Sequence, residues 1–236
     1  MHPIIIAGHS HTRALIGWNT DGDFPLLPVE GQDGIFGLHG PWPRTGNYWS
    51  ALIRYAPGHS IALLWEGNQH HQLFLIEQPL RFDFVPRRLQ SLRVEEDAVI
   101  VPEALVRAKF QSLLGSLHAV LTELKAQTHS RIALVGTPPP KGDNEQLRNL
   151  LPNEFGLDTM IEQVRLTPPT IRLKLWHVLQ EIYQEQAERG GVEFIPVPDI
   201  VADEAGFLKP EFSAVDVTHA NSAYGRVMLN HLAHTL

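Results

Sequence analysis

Pro3-Ile4-Ile5-Ile6-Ala7-Gly8-His9-Ser10-His11 is the stretch on which the fold turns. A continuous β-branched run bounded by Pro and Gly reads as a buried strand. Ser10 to Trp18 then reads as a helix whose first turn begins at or just after the serine. The pattern recurs along the chain. Ser60 to Trp65 is a second buried strand, stopping at Glu66-Gly67-Asn68. Arg131 to Gly136 is a third, followed by Thr137-Pro138-Pro139-Pro140, and Val192 to Pro196 is a fourth. Helical periodicity fills the spaces between them. Gly46 to Tyr55 carries Trp49, Leu52 and Ile53 on one face and ends at Pro57-Gly58. Pro102 to Gln127 reads as one long helix with Leu105, Phe110, Leu113, Leu114 and Leu117 on its apolar side. Thr170 to Arg189 stops at Gly190-Gly191, and Asn221 onward reads as a final helix with Val227, Met228, Leu229 and Leu232. Strands alternating with helices predict an α/β fold of three α/β/α layers around a mainly parallel sheet.

Three stretches fit this alternation less well. Asp21 to Arg44 is rich in Gly and Pro and reads as a long loop around one short strand near Leu26-Val29. His70 to Ile100 is irregular, with Arg81-Phe82-Asp83-Phe84 alternating like a surface hairpin strand. Lys141 to Pro169 is polar with a weak helical pattern. The expectation is one domain over residues 1–236, with insertions near 70–100 and 141–169.

Composition narrows the function. At 236 residues, with 43% hydrophobic and 19% charged residues, the chain can build a substantial core. A formal net charge of -7 with no block of Lys or Arg argues against a nucleic-acid partner. The absence of cysteine excludes disulfides, thiolate metal sites and a cysteine nucleophile. Met1-His2-Pro3 leads straight into the first apolar run without a basic segment or cleavage site, and that run is too short to cross a bilayer. A soluble, cytoplasmic protein with no membrane partner is therefore expected.

The chemistry-bearing residues come in chain order. Gly8-His9-Ser10-His11 follows the first strand, Gly67-Asn68 follows the second, and Asp216-Val217-Thr218-His219 sits near the C-terminus. In open parallel sheets ligands bind outside the carboxyl ends of the strands, so Ser10 and Asn68 fall on one rim. Ser10 opening a helix has its hydroxyl beside free backbone N–H groups. Taken singly, Ser10 could be a helix cap, Asn68 a turn residue, and Asp216 and His219 a cap and a packed core histidine. Taken together they supply a nucleophile, an oxyanion donor, an imidazole base and a carboxylate to orient it.

These blocks resemble the SGNH hydrolase superfamily, the GDSL-type esterases and lipases. The matching segments are Gly8-His9-Ser10, Glu66-Gly67-Asn68 and Asp216-Val217-Thr218-His219, with Ala220-Asn221-Ser222-Ala223-Tyr224-Gly225 and Gly136-Thr137-Pro138-Pro139 as further likenesses. The resemblance implies a flavodoxin-like three-layer fold and ester hydrolysis through an acyl-enzyme. It implies Ser10 as nucleophile, His219 as general base and then acid, and Asp216 as the residue that orients it. The implied oxyanion hole combines the Ser10 N–H, a glycine N–H and the Asn68 amide. Gly40 and Gly46 both qualify as that glycine; spacing to Asn68 favours Gly40. The chain departs from the pattern in having His9-Ser10-His11 for Asp-Ser-Leu and Gln69 for the Asp after Asn, which marks a divergent subfamily. The Gly-x-Ser-x-Gly elbow of the α/β-hydrolases is absent, since the fifth position is Thr12.

The favoured substrate is a small-molecule ester, with an O-acyl or acetyl group on a carbohydrate as the leading class. A catalytically silent glycan-binding module and an O-acyltransferase are the alternatives, since both can retain Ser10, Asn68 and His219. His9, His11, His70 and Trp42 are the candidate substrate-binding residues, and Arg44 is a candidate for an anionic substrate group. A His-lined metal site is the rival reading, but no His-Glu-x-x-His or matched carboxylate motif accompanies these imidazoles. No metal and no cofactor is called for.

Overall fold

The computed structural model describes residues 2–18, 22–66, 74–89, 92–155 and 164–236, the side chains of 152–155 excepted. Its central strand is β1 (Ile4–Gly8), buried at every position. β1 pairs in parallel with β3 (Ile35–Leu38) on one side and β4 (Ser60–Leu64) on the other. β7 (Ile132–Val135) and β8 (Glu193–Ile195) extend the sheet beyond β4, also in parallel. β2 (Leu26–Pro28) closes the opposite edge as its antiparallel strand, giving the order β2-β3-β1-β4-β7-β8.

Alternate side chains along these strands enter different cores, which is why the apolar runs are unbroken. Ile5, Ile61, Leu63, Ile132 and Leu134 pack under α2 (Gly46–Tyr55), α3 (Glu103–Leu114), α4 (Leu117–Gln127) and α6 (Pro169–Gly190). Ile4, Ile6, Ala62, Leu64, Ala133 and Val135 face α1 (Arg13–Ile16) and α7 (Ser222–Thr235). Each fully buried Ile contributes about 1.5–3 kcal/mol. The expected layers and mainly parallel sheet are thus present. α1 and α7 touch at Gly225, where a Cβ would lie 1.7 Å from the Ala14 carbonyl oxygen, so only glycine fits. This contact fixes the helix that follows Ser10 against the helix that follows His219.

Three expectations are corrected. The 21–44 stretch holds two strands, not one, and the second, β3, is the direct neighbour of β1. Pro102 to Gln127 is two helices: the chain breaks at Gly115, whose φ of +45° and ψ of -105° cannot continue a helix. Within the first of the two, Leu105 is exposed while Phe110 and Leu114, on another face, are buried. Arg81–Phe84 is not a surface hairpin. Its β5 (Phe82–Asp83) pairs in parallel with β6 (Val99–Ile100), and Asp83 and Phe84 are wholly buried. The polar 141–169 stretch contains α5 (Asn144–Phe155).

Candidate active site

From β1 the chain departs toward β3, and from β4 toward β7, so the adjacent carboxyl ends of β1 and β4 form a topological switch point. Ser10 and Glu66 lie just beyond those strand ends. The two strand ends are tied by the His9 N–H, which donates to the Leu64 carbonyl at 2.8 Å. Gly8 has a φ of +137°, and a Cβ on it would lie 2.0 Å from that same carbonyl oxygen. The strand ends approach this closely only because Gly8 has no side chain.

The Gly8 peptide is held from both directions. Its N–H donates to the Tyr48 hydroxyl at 2.9 Å, and the hydroxyl donates to the Leu38 carbonyl at 3.2 Å. Burial pushes the Tyr48 phenol up to about 12, so it stays a neutral donor. The Gly8 carbonyl accepts from Arg44 Nε at 3.0 Å. Arg44 also donates to the carbonyls of Gly40 and Pro41 and lies 4.3 Å from the Tyr48 ring centroid. The guanidinium, a candidate for an anionic substrate group with a solvated loop arginine as the favoured reading, is neither: it is committed to its own loop and the end of β1. It folds the 40–44 segment, with its cis Trp42–Pro43 bond, against the end of β1.

His9 is also turned inward. Its ring lies 5.5 Å from Trp42, 5.5 Å from Trp49 and 4.6 Å from Trp65, and it is 7% exposed. Burial, with the Arg44 charge, lowers it to about 4, so the ring is neutral at ordinary pH. Its Nδ1 accepts the Glu66 N–H at 3.1 Å. Glu66 has a φ of +32°, a conformation that costs a non-glycine residue energy. The Tyr183 hydroxyl fixes the preceding carbonyl, that of Trp65, at 2.6 Å. His9 and Tyr183 thus shape the turn from which Gly67 and Asn68 follow.

At the other end of the chain, His219 Nδ1 meets Asp216 Oδ2 at 3.1 Å. Asp216 Oδ1 accepts the backbone N–H groups of Thr218 at 2.8 Å and His219 at 2.6 Å. Burial raises the Asp216 carboxyl, but the His219 ring and these N–H bonds outweigh it and hold the group well below the usual carboxylate range. The ring's orientation leaves Nε2 enclosed and, among the described residues, without a hydrogen-bond partner. The His219 ring centroid lies 5.2 Å from that of His11, the residue next to Ser10. Neither short helix at Ser10–Ile16 carries a side-chain cap, so the Ser10 hydroxyl does no capping.

Both insertions reach this loop. Ile76 and Leu166 form an antiparallel bridge, the Glu77 N–H donates to Arg165 O at 2.8 Å, and the Thr167 N–H donates to Leu75 O at 2.9 Å. Leu75, Leu147, Leu151 and Leu166 then enclose Val217, the residue between Asp216 and Thr218.

The structure thus brings Asp216, His219 and His11 together at the end of β1, where Ser10 sits. Gly40 stands two residues beyond β3 on the same rim; a Cβ there would lie 2.6 Å from the Phe24 ring. Gly46 is the first residue of α2, with open space around it. Trp42 is 52% exposed and stands edge-on to His9. Asn68 and His70 lie outside the described residues. Among the described residues, no group of three or more His, Cys, Asp or Glu is arranged to hold a metal ion. Sequence reasoning missed Tyr48, Tyr183 and Lys141 as supports of the rim. No local motif announces them, because each acts across a long stretch of chain.

No family model matches the chain, and no curated protein does. Solved structures do. A mutant of an acetyl-xylooligosaccharide esterase from Geobacillus stearmophilus superposes with a TM-score of 0.50 at 12% identity, covering 99% of this chain and 93% of that one. A phospholipase A1 from Streptomyces albidoflavus matches with a TM-score of 0.50 at 12% identity, covering 98% of each chain. A protein assigned as an acylhydrolase from Bacteroides fragilis matches with a TM-score of 0.50 at 14% identity, covering 99% and 86%. This chain has the SGNH hydrolase fold. Among the described residues, no helix is long and apolar enough to cross a membrane.

Proposed function

We propose that this SGNH-fold chain is a serine ester hydrolase working through an acyl-enzyme. The Asp216–His219 pair carries the reading. Its ring is oriented by a carboxylate through Nδ1, its Nε2 is enclosed with no hydrogen-bond partner among the described residues, and the ring lies 5.2 Å from that of His11, the residue after Ser10. In this reading Ser10 Oγ attacks the ester carbonyl carbon as its proton passes to His219 Nε2. Breakdown of the tetrahedral intermediate breaks the acyl–oxygen bond, and the imidazolium returns the proton to the departing alkoxide. Water repeats the sequence on the acyl-serine. The N–H groups of Ser10 and Gly40 and the Asn68 amide bind the developing oxyanion, each donor contributing about 3–4 kcal/mol in the transition state. Asp216 stays ionised throughout and stabilises the imidazolium.

The substrate class we favour is a small O-acyl ester of a carbohydrate. Trp42 supports it, offering a half-exposed apolar face beside Gly40 on which a sugar ring can stack. His9 and His11 are both buried: His9 stands against that tryptophan and accepts the Glu66 N–H, and His11 packs beside the His219 ring. One experiment tests the reading: fluorophosphonate labelling together with turnover of p-nitrophenyl acetate and acetylated xylo-oligosaccharides. Wild type is expected to label at Ser10 and to release acetate, and Ser10→Ala to do neither while remaining folded. A folded wild type that neither labels nor turns over would make this rim a binding surface. Acetate passed to an added sugar in preference to water would make the protein a transferase.

A further inference from the structure

We propose that Lys141 is a positioning residue for the Asp216–His219 pair, an assignment that rests on the acyl-transfer reading of that pair. Lys141 follows the Thr137–Pro140 turn at the end of β7, and its side chain is almost wholly buried, at 1% exposure. Its Nζ donates to the Ala214 carbonyl at 2.7 Å and to the carbonyl of Asp216 itself. The Lys141 main chain is fixed in turn. Arg172, fully buried on α6, donates to the carbonyls of Lys141 at 3.0 Å, Gly142 at 3.3 Å and Thr167, and to Asn144 Oδ1 at 2.8 Å. A rigid line therefore runs from α6 through residues 141–142 to the backbone of Asp216.

The gripped segment is a small closed loop. Ser213 and Ala220 form an antiparallel bridge at its base, and the Ala214 N–H donates to the His219 carbonyl at 3.1 Å. Asp216 to Thr218 form the tip. The base bonds fix where the loop starts and ends, and the Thr218 and His219 N–H groups bind the Asp216 side chain, but none of these bonds takes the Asp216 carbonyl. Anchoring it through Lys141 sets the Asp216 Cα, hence the direction of the carboxylate that takes two N–H groups on Oδ1 and the imidazole on Oδ2. Burying an ammonium is costly compared with burying an apolar side chain of similar size. An apolar side chain would fill the space but could not bind two carbonyls, whereas an ammonium carries donors for both. The burial is therefore explained by the loop it holds. Misplacing a reacting group by about 1 Å costs roughly a hundredfold in rate.

The test compares Lys141→Met with Lys174→Met, which removes a second buried lysine whose Nζ bonds Asp83 and the Arg93 carbonyl rather than the 214–216 carbonyls. The readouts are kcat and KM for p-nitrophenyl acetate and the low-field proton NMR signal of the His219 Nδ1–H, assigned by its absence in His219→Gln. Lys141→Met is expected to lower kcat roughly ten- to a hundredfold with KM little changed. The Nδ1–H signal should move upfield or broaden away in protein that circular dichroism shows to be folded. Lys174→Met should lose stability but keep both the signal and kcat. Where the methionine variant does not fold, Lys141→Gln, with a shorter donor, should show the same changes in smaller measure. An unchanged signal and kcat in a folded Lys141 variant, or equal damage from Lys174→Met, overturns the proposal. A wild type without esterase activity overturns the proposed function instead, and the NMR comparison still decides the role of Lys141.

Discussion

Lys141 and Lys174 are both shut away from solvent, and Lys174 closes on a carboxylate while Lys141 reaches two backbone carbonyls of the 214–216 segment. Lys174 Nζ lies 2.9 Å from both Asp83 oxygens and 2.8 Å from the Arg93 carbonyl. Asp83 further accepts the N–H groups of Phe84 at 2.7 Å and Glu95 at 2.9 Å. That ion pair is internally neutral, fully bonded and wholly buried, and it fastens the 74–101 insertion to α6. Lys141 instead binds backbone carbonyls in the loop that presents the dyad. A lysine that closes on a carboxylate makes an anchor that can sit anywhere in a fold. A lysine that closes on peptide dipoles fixes backbone direction, which matters where a side chain must be aimed.

The contrast breaks most plainly at the anchor. Lys174→Met leaves the Asp83 carboxylate buried without its cation, and unfolding stability should fall by about 3–5 kcal/mol. Urea denaturation measures it. Combining the change with Asp83→Asn should recover part of the loss, because the uncompensated charge is then gone. A loss below about 1 kcal/mol would mean that Asp83 is solvated in the folded protein, and the distinction between the two lysines would lapse.

A second buried cation-former sharpens the contrast by remaining neutral. His9 is lowered to about 4 by burial and by Arg44, against about 6.5 in an unfolded chain. The unfolded state therefore binds a proton between those values that the folded state does not. This contribution is fully present above pH ~6.5 and is lost as the pH falls toward ~4. Across that window it amounts to at most about 3 kcal/mol. His9→Gln should flatten this part of the stability–pH curve, measured by urea melts at a series of pH values. An equally steep curve in the variant would place the titrating group elsewhere.

How much of this could be read beforehand follows from how far each residue reaches. Ile4 to Ala7 announces a central strand because both of its faces are covered, so no polar residue interrupts the run. β3 is hidden because Gly37 interrupts it, and Gly37 is required where a Cβ would lie 2.8 Å from Ile16. The Arg81–Phe84 alternation reads as a solvent-facing strand because the cation that neutralises Asp83 is 91 residues away. The Pro102–Gln127 pattern reads as one helix because its apolar spacing runs on past Gly115, where the backbone breaks at a φ of +45°. At the site, Asp216 and His219 are legible because their spacing is local. Arg44 reads from the sequence as a loop arginine, solvated or open to substrate, because the Gly8 carbonyl it binds lies 36 residues back. Lys141 was read as the start of a polar stretch for the same reason: its acceptors lie 73 and 75 residues ahead.

The smallest expected effect separates two ways of holding the same loop. Asn221 sits just beyond the Ser213–Ala220 bridge and works in both directions. Its Oδ1 accepts the N–H groups of Ala223 at 2.8 Å and Tyr224 at 3.2 Å, capping α7. Its Nδ2 donates to the carbonyls of Glu211 at 2.8 Å and Ser213 at 3.2 Å, at the entry to the dyad loop. Asn221→Ala should cost about 1–2 kcal/mol, because both the cap and the loop bonds are lost. Asn221→Asp keeps the cap acceptor and places a negative charge at the helix N-terminus, where it is favourable, but it can no longer donate to the two carbonyls. Its net stability loss should therefore be under about 1 kcal/mol. Both substitutions loosen the base of the loop while Lys141 still grips its tip. The kcat of Asn221→Asp should then stay within a few-fold of wild type, well short of the loss expected for Lys141→Met. Thermal melts with steady-state rates on p-nitrophenyl acetate measure both quantities. If Asn221→Asp lowers kcat as far as Lys141→Met does, the dyad is aimed by the loop's base and the grip on the Asp216 carbonyl adds nothing to it.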